Sequence, residues 1–129
     1  MKFLHADILV IGSELLHGGR VDSNSLFIAD MLARCVIHVR KNMALGDELT
    51  DIQAALRSSS QRADVVVVTG GLGSTVDDCT REAIATAYGR PLTVRRKALQ
   101  NLSRQVHRRG RTVTTLLAKQ ALIPSGATV

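Results

Sequence analysis

The stretch V-V-V-V-T-G-G-L-G-S-T-V-D-D-C-T-R-E-A-I-A-T-A-Y, Val65 to Tyr88, restricts the possible folds more than any other part of the chain. Its β-branched run, Val65 to Val68, suits a strand buried on both faces. Gly70 to Ser74 follows as a glycine-rich turn, which lets backbone come close to a ligand. A helical pattern begins near Thr80 and is closed by Gly89, and the free N–H groups at a helix start favour an anion. Thr80 is the expected N-cap, with Glu82 in the first turn. The acidic pair Asp77 and Asp78 then lies just outside the cap, where it repels a bare phosphate, so a divalent cation is the natural bridge. The plainer alternative is that the pair only offsets the helix dipole. The residues describe a phosphate-plus-metal site at the end of a central strand. They are not a P-loop, since no Gly-Lys-Ser/Thr follows, and not a dinucleotide fingerprint, since Val76 stands at the third glycine position.

T-G-G-L-G-S-T-V-D-D-C-T-R-E-A resembles the T-G-G-L-G-P-T-x-D-D-x-T-x-E-A signature of the CinA family, the competence/damage-inducible proteins. The first domain of that family is similar to the molybdopterin-binding domain of the MoaB/MogA proteins. A second match lies far away: G-S-E-L-L-H-G-G-R-V-D-S-N-S, Gly12 to Ser25, looks like the family's G-D/E-E-L-L-x-G-x-I-x-D-T-N. A third is Lys119 to Pro124, similar to a K-Q-A-x-x-P segment read as a strand approaching the site. The family's proline after the third glycine is Ser74 here, which loosens the loop because proline would fix its backbone angle.

The remaining chain alternates strands and helices. Ala6 to Gly12 is an apolar run of strand length, and Asp22 to Ser25 offers N-caps for a helix ending near Arg34 or Cys35. Where relatives stop that helix with glycine, this chain has Val36, a poor residue for a left-handed turn. Val36 to Leu45 reads as the second strand, Asp47 as either a helix cap or a site acid, and Asp64 to Thr69 as the third strand. Val94 to Arg109 is a basic helix and Thr112 to Lys119 a short one. Cys35 is assigned to the core. Cys79 stands near a helix start, where a thiol pKa can fall, although packing is its plainer role. The expected fold is α/β: a mostly parallel, Rossmann-like sheet with helices on both faces in three layers, the MoaB/MogA-like arrangement. Residues 1–129 form one domain, expected to be incomplete at its C-terminal end because the family continues into an N-P-x-G-T-A-P-G-like loop and a second, deamidating domain.

Aromatic residues make up 2% of the chain. That leaves an aliphatic core and argues against a nucleic-acid module built on stacking platforms. Charge is uneven: residues 1–82 carry eight cations against eleven acids, whereas the rest carries +9 with no acid. Without interleaved aromatics this basic third reads as a solvated helix face rather than a nucleic-acid surface. The start of the chain has neither a secretory apolar segment nor the length of a membrane span, so a cytoplasmic location is expected.

The resemblance implies a metal-dependent pyrophosphatase acting on ADP-ribose-like substrates. Thr69, Gly70, Gly71, Gly73, Ser74, Thr75 and Thr80 would hold the phosphates, and Gly12, Glu14 and Asn24 would line the same site. Asp77 and Asp78 would bind Mg²⁺ or a similar ion, Asp78 and Asp47 would act in catalysis, and Lys119 would offset charge on the leaving phosphate. Molybdopterin binding or adenylylation is the second expectation, and a non-catalytic binding domain the third. The expected partner is a small nucleotide or pterin phosphate, and an exposed sheet edge predicts a homo-oligomer.

Overall fold

The computed structural model describes Phe3 to Val129. Strand β1 (Leu4–Ile11) leads through a one-turn helix α1 (Ser13–Leu16) into α2 (Ser23–Arg34). Then come β2 (Ile37–Leu45), α3 (Leu49–Ser60), β3 (Val65–Thr69) and α4 (Thr80–Tyr88). The last third holds β4 (Leu92–Val94), α5 (Arg96–Arg108), α6 (Thr115–Ala118), a 3-10 turn (Lys119–Ala121) and β5 (Leu122–Pro124). Strands β2, β1 and β3 form a parallel sheet in that order. Parallel neighbours joined through helices put both glycine-bearing loops at the carboxyl edge of the sheet, as expected.

The centre of the sheet is not the valine run. β1 lies between the other two strands, and Ala6 through Ile11 are all buried, whereas every residue of β3 is only half-buried. Among the described residues β3 has no strand partner on its outer side, so the expectation of a central strand buried on both faces fails for Val65 to Val68 and holds for β1. Leu9 and Ile11 point toward α3 and α4, where they pack with Ile52, Ala55, Leu56 and Ala83. Ala6, Ile8 and Val10 face the α2 side.

β2 serves both layers through a bulge. Its register on β1 shifts between Ala6 and Asp7, so that Ala6 pairs with Val39 and Asp7 with Lys41, leaving Arg40 extra. One extra residue exchanges the faces of everything after it. Ile37 and Val39 therefore lie with α2, while Met43 and Leu45 join the core under α3. At the opposite sheet edge from the glycine loops, the buried Asp7 carboxylate is bound by Arg62 Nε and Nη2 at 3.0 and 2.9 Å, which ties the central strand to the end of α3.

Val36 does take the left-handed conformation, φ 59°, and its N–H donates to Ala33 O at 2.9 Å. The helix stop keeps the geometry a glycine would give, at a cost of about 1–2 kcal/mol for an L-residue with a Cβ. Cys35, assigned to the core, is exposed because it caps α2 on its outer side. In the last third the sequence reading missed β4. Leu92–Val94 pairs antiparallel with Leu122–Pro124, so the helix begins at Arg96 and β5 belongs to a separate two-stranded sheet. Within the third matching segment, Lys119 to Ala121 is a turn and only Leu122 onward is strand. Among the described residues no helix is long and apolar enough to cross a membrane.

Candidate functional site

The loop from Gly70 to Asp78 is held by its carbonyl groups. Thr80 is the first residue of α4 rather than its cap, which is Cys79. Freed from capping, the Thr80 hydroxyl donates to Gly70 O at 2.8 Å and its N–H to Gly71 O at 3.2 Å. Arg81 donates from Nη2 to Leu72 O and from Nη1 to Gly73 O, the latter at 3.3 Å. Lys119 Nζ donates to Thr75 O at 3.2 Å and to Asp78 O at 2.5 Å. With these carbonyls turned inward, the N–H groups of Leu72 and Ser74 make no hydrogen bond among the described residues, and that of Gly73 faces the Asp78 carboxylate. Unpaired backbone N–H groups close together make an anion-binding concavity. Two glycines are required by close contact with β1 and α4: Gly70 has φ +90° and a Cβ there would strike Ile11 O, while at Gly71, φ +61°, it would strike the Thr80 hydroxyl.

The two signature acids divide. Asp78 Oδ2 accepts from Thr75 N at 2.9 Å and Thr75 Oγ1 at 2.6 Å. The Thr75 hydroxyl, helped by the Thr75 and Gly73 amides and by Lys119, lowers the Asp78 carboxyl pKa against an opposing effect of burial. The Gly73 amide thus leans on the carboxylate electrostatically, without the geometry of a full hydrogen bond. Asp78 therefore braces the loop from inside, bound to Thr75 rather than free at the cap. Asp77 is exposed and lines a cavity of about 470 Å³ with Ser13, Asp47, Glu48 and Asp51.

Asp47 is not a helix cap; Glu48 holds that position. The Asp47 carboxylate instead accepts from Ser13 N at 3.1 Å, and Ser13 Oγ accepts from Asp47 N at 3.3 Å, so it fixes the turn that follows β1. Cys79 Sγ donates to Asp47 O at 3.1 Å and links the two loops. Burial raises the Cys79 thiol pKa, with the Asp47 and Glu82 charges acting in the same direction, so the helix start does not activate it. On the other side of the same turn a cavity of about 270 Å³ is lined by Glu14, Arg20, Asp22, Asn24, Thr69 and Gly70. Asp22 caps α2, accepting from Ser25 N at 3.0 Å. Gly12 is buried at the start of this turn and donates to Leu45 O at 2.9 Å.

The expected residues thus fall into three places along one edge. Glu14, Asn24, Thr69 and Gly70 share the first cavity, and Asp47 and Asp77 share the second. Gly71, Gly73, Ser74, Thr75, Asp78, Thr80 and Lys119 belong to the loop between them and its bracing. Lys119 also pairs with Glu82 Oε1 at 3.4 Å, so its ammonium lies behind the loop. Among the described residues no three His, Cys, Asp or Glu side chains gather as a cage for a metal ion. An ion such as Mg²⁺, which keeps its waters and is commonly held by one or two carboxylates plus substrate phosphates, would meet Asp47 and Asp77 in the second cavity. Arg81 and Arg20 were missed. The signal for Arg81 was its place three residues before Ile84, which packs on the core: a charge on the inward stripe of an amphipathic helix.

The sequence model of the family described as "Probable molybdopterin binding domain" matches residues 7–128. A CinA-like protein of Anaeromyxobacter sp. (strain Fw109-5) is 43% identical over 126 residues, covering 98% of this chain and 31% of that protein. One from Rippkaea orientalis is 40% identical over 126 residues, with 98% and 30% covered. The chain thus spans about three-tenths of the length of the curated relatives it matches. Among solved structures, the protein CinA, of unknown function, from Thermoplasma acidophilum superposes with a TM-score of 0.85 at 32% identity, covering 95% of this chain and 71% of that one. The molybdopterin biosynthesis enzyme MoaB of Thermus thermophilus gives 0.65 at 26% identity, covering 95% and 79%.

Proposed function

Because the chain belongs to the family of CinA-type, MoaB/MogA-like molybdopterin-binding domains, we propose that its glycine loop binds the phosphate of a small nucleotide and that the domain is a metal-dependent pyrophosphatase on ADP-ribose-like substrates. The observation that carries this reading is the pair of unpaired N–H groups at Leu72 and Ser74, set between two polar cavities at one sheet edge. A diphosphate held at these N–H groups would leave its organic groups to the cavities on either side. Asp77 and Asp47 would hold a divalent ion brought with the substrate, and Asp78 would act through Thr75 by keeping the loop in shape. When bound, such an ion supplies neutralisation of phosphate charge and an activated water. Glu14, Arg20 and Asn24 would orient the organic part.

Molybdopterin binding is the second reading, supported by the family's description and by the MoaB neighbour. The same N–H groups would then hold the pterin phosphate. Incubation of the full chain with Mg²⁺ and, separately, ADP-ribose, NAD, ATP, molybdopterin, and molybdopterin together with ATP discriminates between the readings. Mg²⁺-dependent release of AMP from ADP-ribose, abolished by chelator, is the expected result. Adenylyl transfer to molybdopterin, or its binding without turnover, favours the second reading. Binding of a nucleotide without any turnover leaves a non-catalytic domain.

A further inference from the structure

We infer that Arg81 is the positioning residue of the glycine loop: by gripping the carbonyls of Leu72 and Gly73 it holds the Gly73 N–H toward the Asp78 carboxylate and aims the Ser74 N–H at the phosphate. The inference rests on the phosphate-binding reading above and deepens it. A peptide unit is flat and trans, so its C=O and N–H point in opposite directions. Fixing Leu72 O fixes the Gly73 N–H, and fixing Gly73 O fixes the Ser74 N–H. Both carbonyls are taken by the two terminal nitrogens of one guanidinium. The preceding unit is set in the same way by Thr80 N on Gly71 O, which aims the Leu72 N–H. Three successive donors are thus turned away from the groups that hold their carbonyls, and two of the three are set by Arg81.

The cost of placing Arg81 there supports a role beyond packing. Its side chain belongs to the buried set at 8% exposure, and among the described residues no carboxylate forms an ion pair with it. A buried cation without a paired acid is expensive unless its donors are used well. Burial lowers its pKa, opposed by the more distant Glu82 and Asp78 charges. The arginine fork can hold two adjacent carbonyls at once, which a lysine ammonium cannot do with the same fixed geometry. The charge also lies behind the N–H groups and adds to the pull on an anion in front of them.

The test uses the full chain and inorganic pyrophosphate. Titration of ¹⁵N-labelled protein follows the Gly73 and Ser74 amides, and calorimetry gives the affinity with and without Mg²⁺. Arg81→Met is expected to weaken pyrophosphate binding about tenfold or more, since small misplacement of positioning groups has effects of that size. Arg81→Lys should fall between the two. Arg81→Ala should regain affinity when millimolar methylguanidinium is added, with the Gly73 and Ser74 resonances returning toward their parent positions. A folded Arg81→Lys with lowered thermal midpoint but pyrophosphate affinity within about twofold of the parent overturns the inference and leaves the phosphate reading standing. So does Arg81→Ala that stays folded and is not rescued. If the parent chain itself binds no pyrophosphate, or binds without shifting these amides, the phosphate reading fails and takes this inference with it. Should Arg81→Met not fold, Arg81→Lys and the rescue decide the matter.

Discussion

The two glycine-bearing loops at the carboxyl edge of the sheet are held in opposite ways. The Gly70–Asp78 loop is gripped from behind by Thr80, Arg81 and Lys119 through its carbonyls, and its own Asp78 closes it on Thr75. The segment from Gly12 to Asp22 is tied mainly at its start, by Gly12 N to Leu45 O and the reciprocal Ser13–Asp47 bonds, and beyond that by Gly19 N to Glu14 O and an exposed His17 bonded to Ser13 O. Its charged side chains, Glu14 and Arg20, stay exposed and line a cavity. The contrast fits a division of labour. A phosphate has one shape, so the donors that meet it gain from being preorganised. The organic part of a ligand varies, and exposed, lightly tied side chains can adapt to it.

The sharpest way to break this comparison is the same substitution in both loops. Gly70→Ala meets a positive φ and the Ile11 carbonyl together, and should cost about 3 kcal/mol or more. Gly18→Ala has a positive φ but open space around the new Cβ, and should cost about 1 kcal/mol. Urea denaturation of both variants measures the difference, and equal costs would mean that the loops are equally constrained.

A middle-sized effect is expected at Asp47, which helps tie the β1 turn to the next strand-to-helix junction. Asp47→Ala removes a charged acceptor from Ser13 N and should cost about 1–2 kcal/mol. Hydrogen exchange should quicken at Ser13 while Thr75 stays protected. Loss of protection at Thr75 as well would show that the second loop depends on the first.

The smallest effect is at Asp78. Asp78→Asn keeps an oxygen for Thr75 but loses its charge, for a stability loss of about 1 kcal/mol at neutral pH. The carboxyl has a lowered pKa when folded, so its contribution is present above the unfolded value of about 3.9 and disappears as pH falls through the folded value. Thermal midpoints of parent and variant should therefore differ by a constant amount from about pH 5 to 7 and converge in more acidic solution. A gap that persists in acid would assign the effect to the altered amide geometry instead of the charge.

Much of the architecture was legible from local pattern. The apolar runs near Ala6, Ile37 and Val65 located the three parallel strands, Asp22 marked the start of α2, and Gly89 marked the end of α4. These features depend on residues a few positions apart, which periodicity and capping chemistry report directly. The glycine loop was legible for the same reason, because a tight turn near a ligand needs glycine whatever surrounds it. Thr80 was misread as a cap, and Asp47 and Cys79 stood between two roles each, because all three make their decisive contacts across the chain, 10 or 32–34 residues away.

By itself the sequence determined the order of most strands and helices, the edge on which a site could form, and the family signature that marks it. Only the tertiary structure decided that β1, not the valine run, is central, and that the extra Arg40 turns β2 from one layer to the other. It alone decided that Arg81 and Lys119 face the back of the loop. Side-chain period follows from the backbone state of each segment. Register, burial and the direction of a long cation follow from which segments come to lie beside one another, and that is fixed only when the sheet and its covering helices pack.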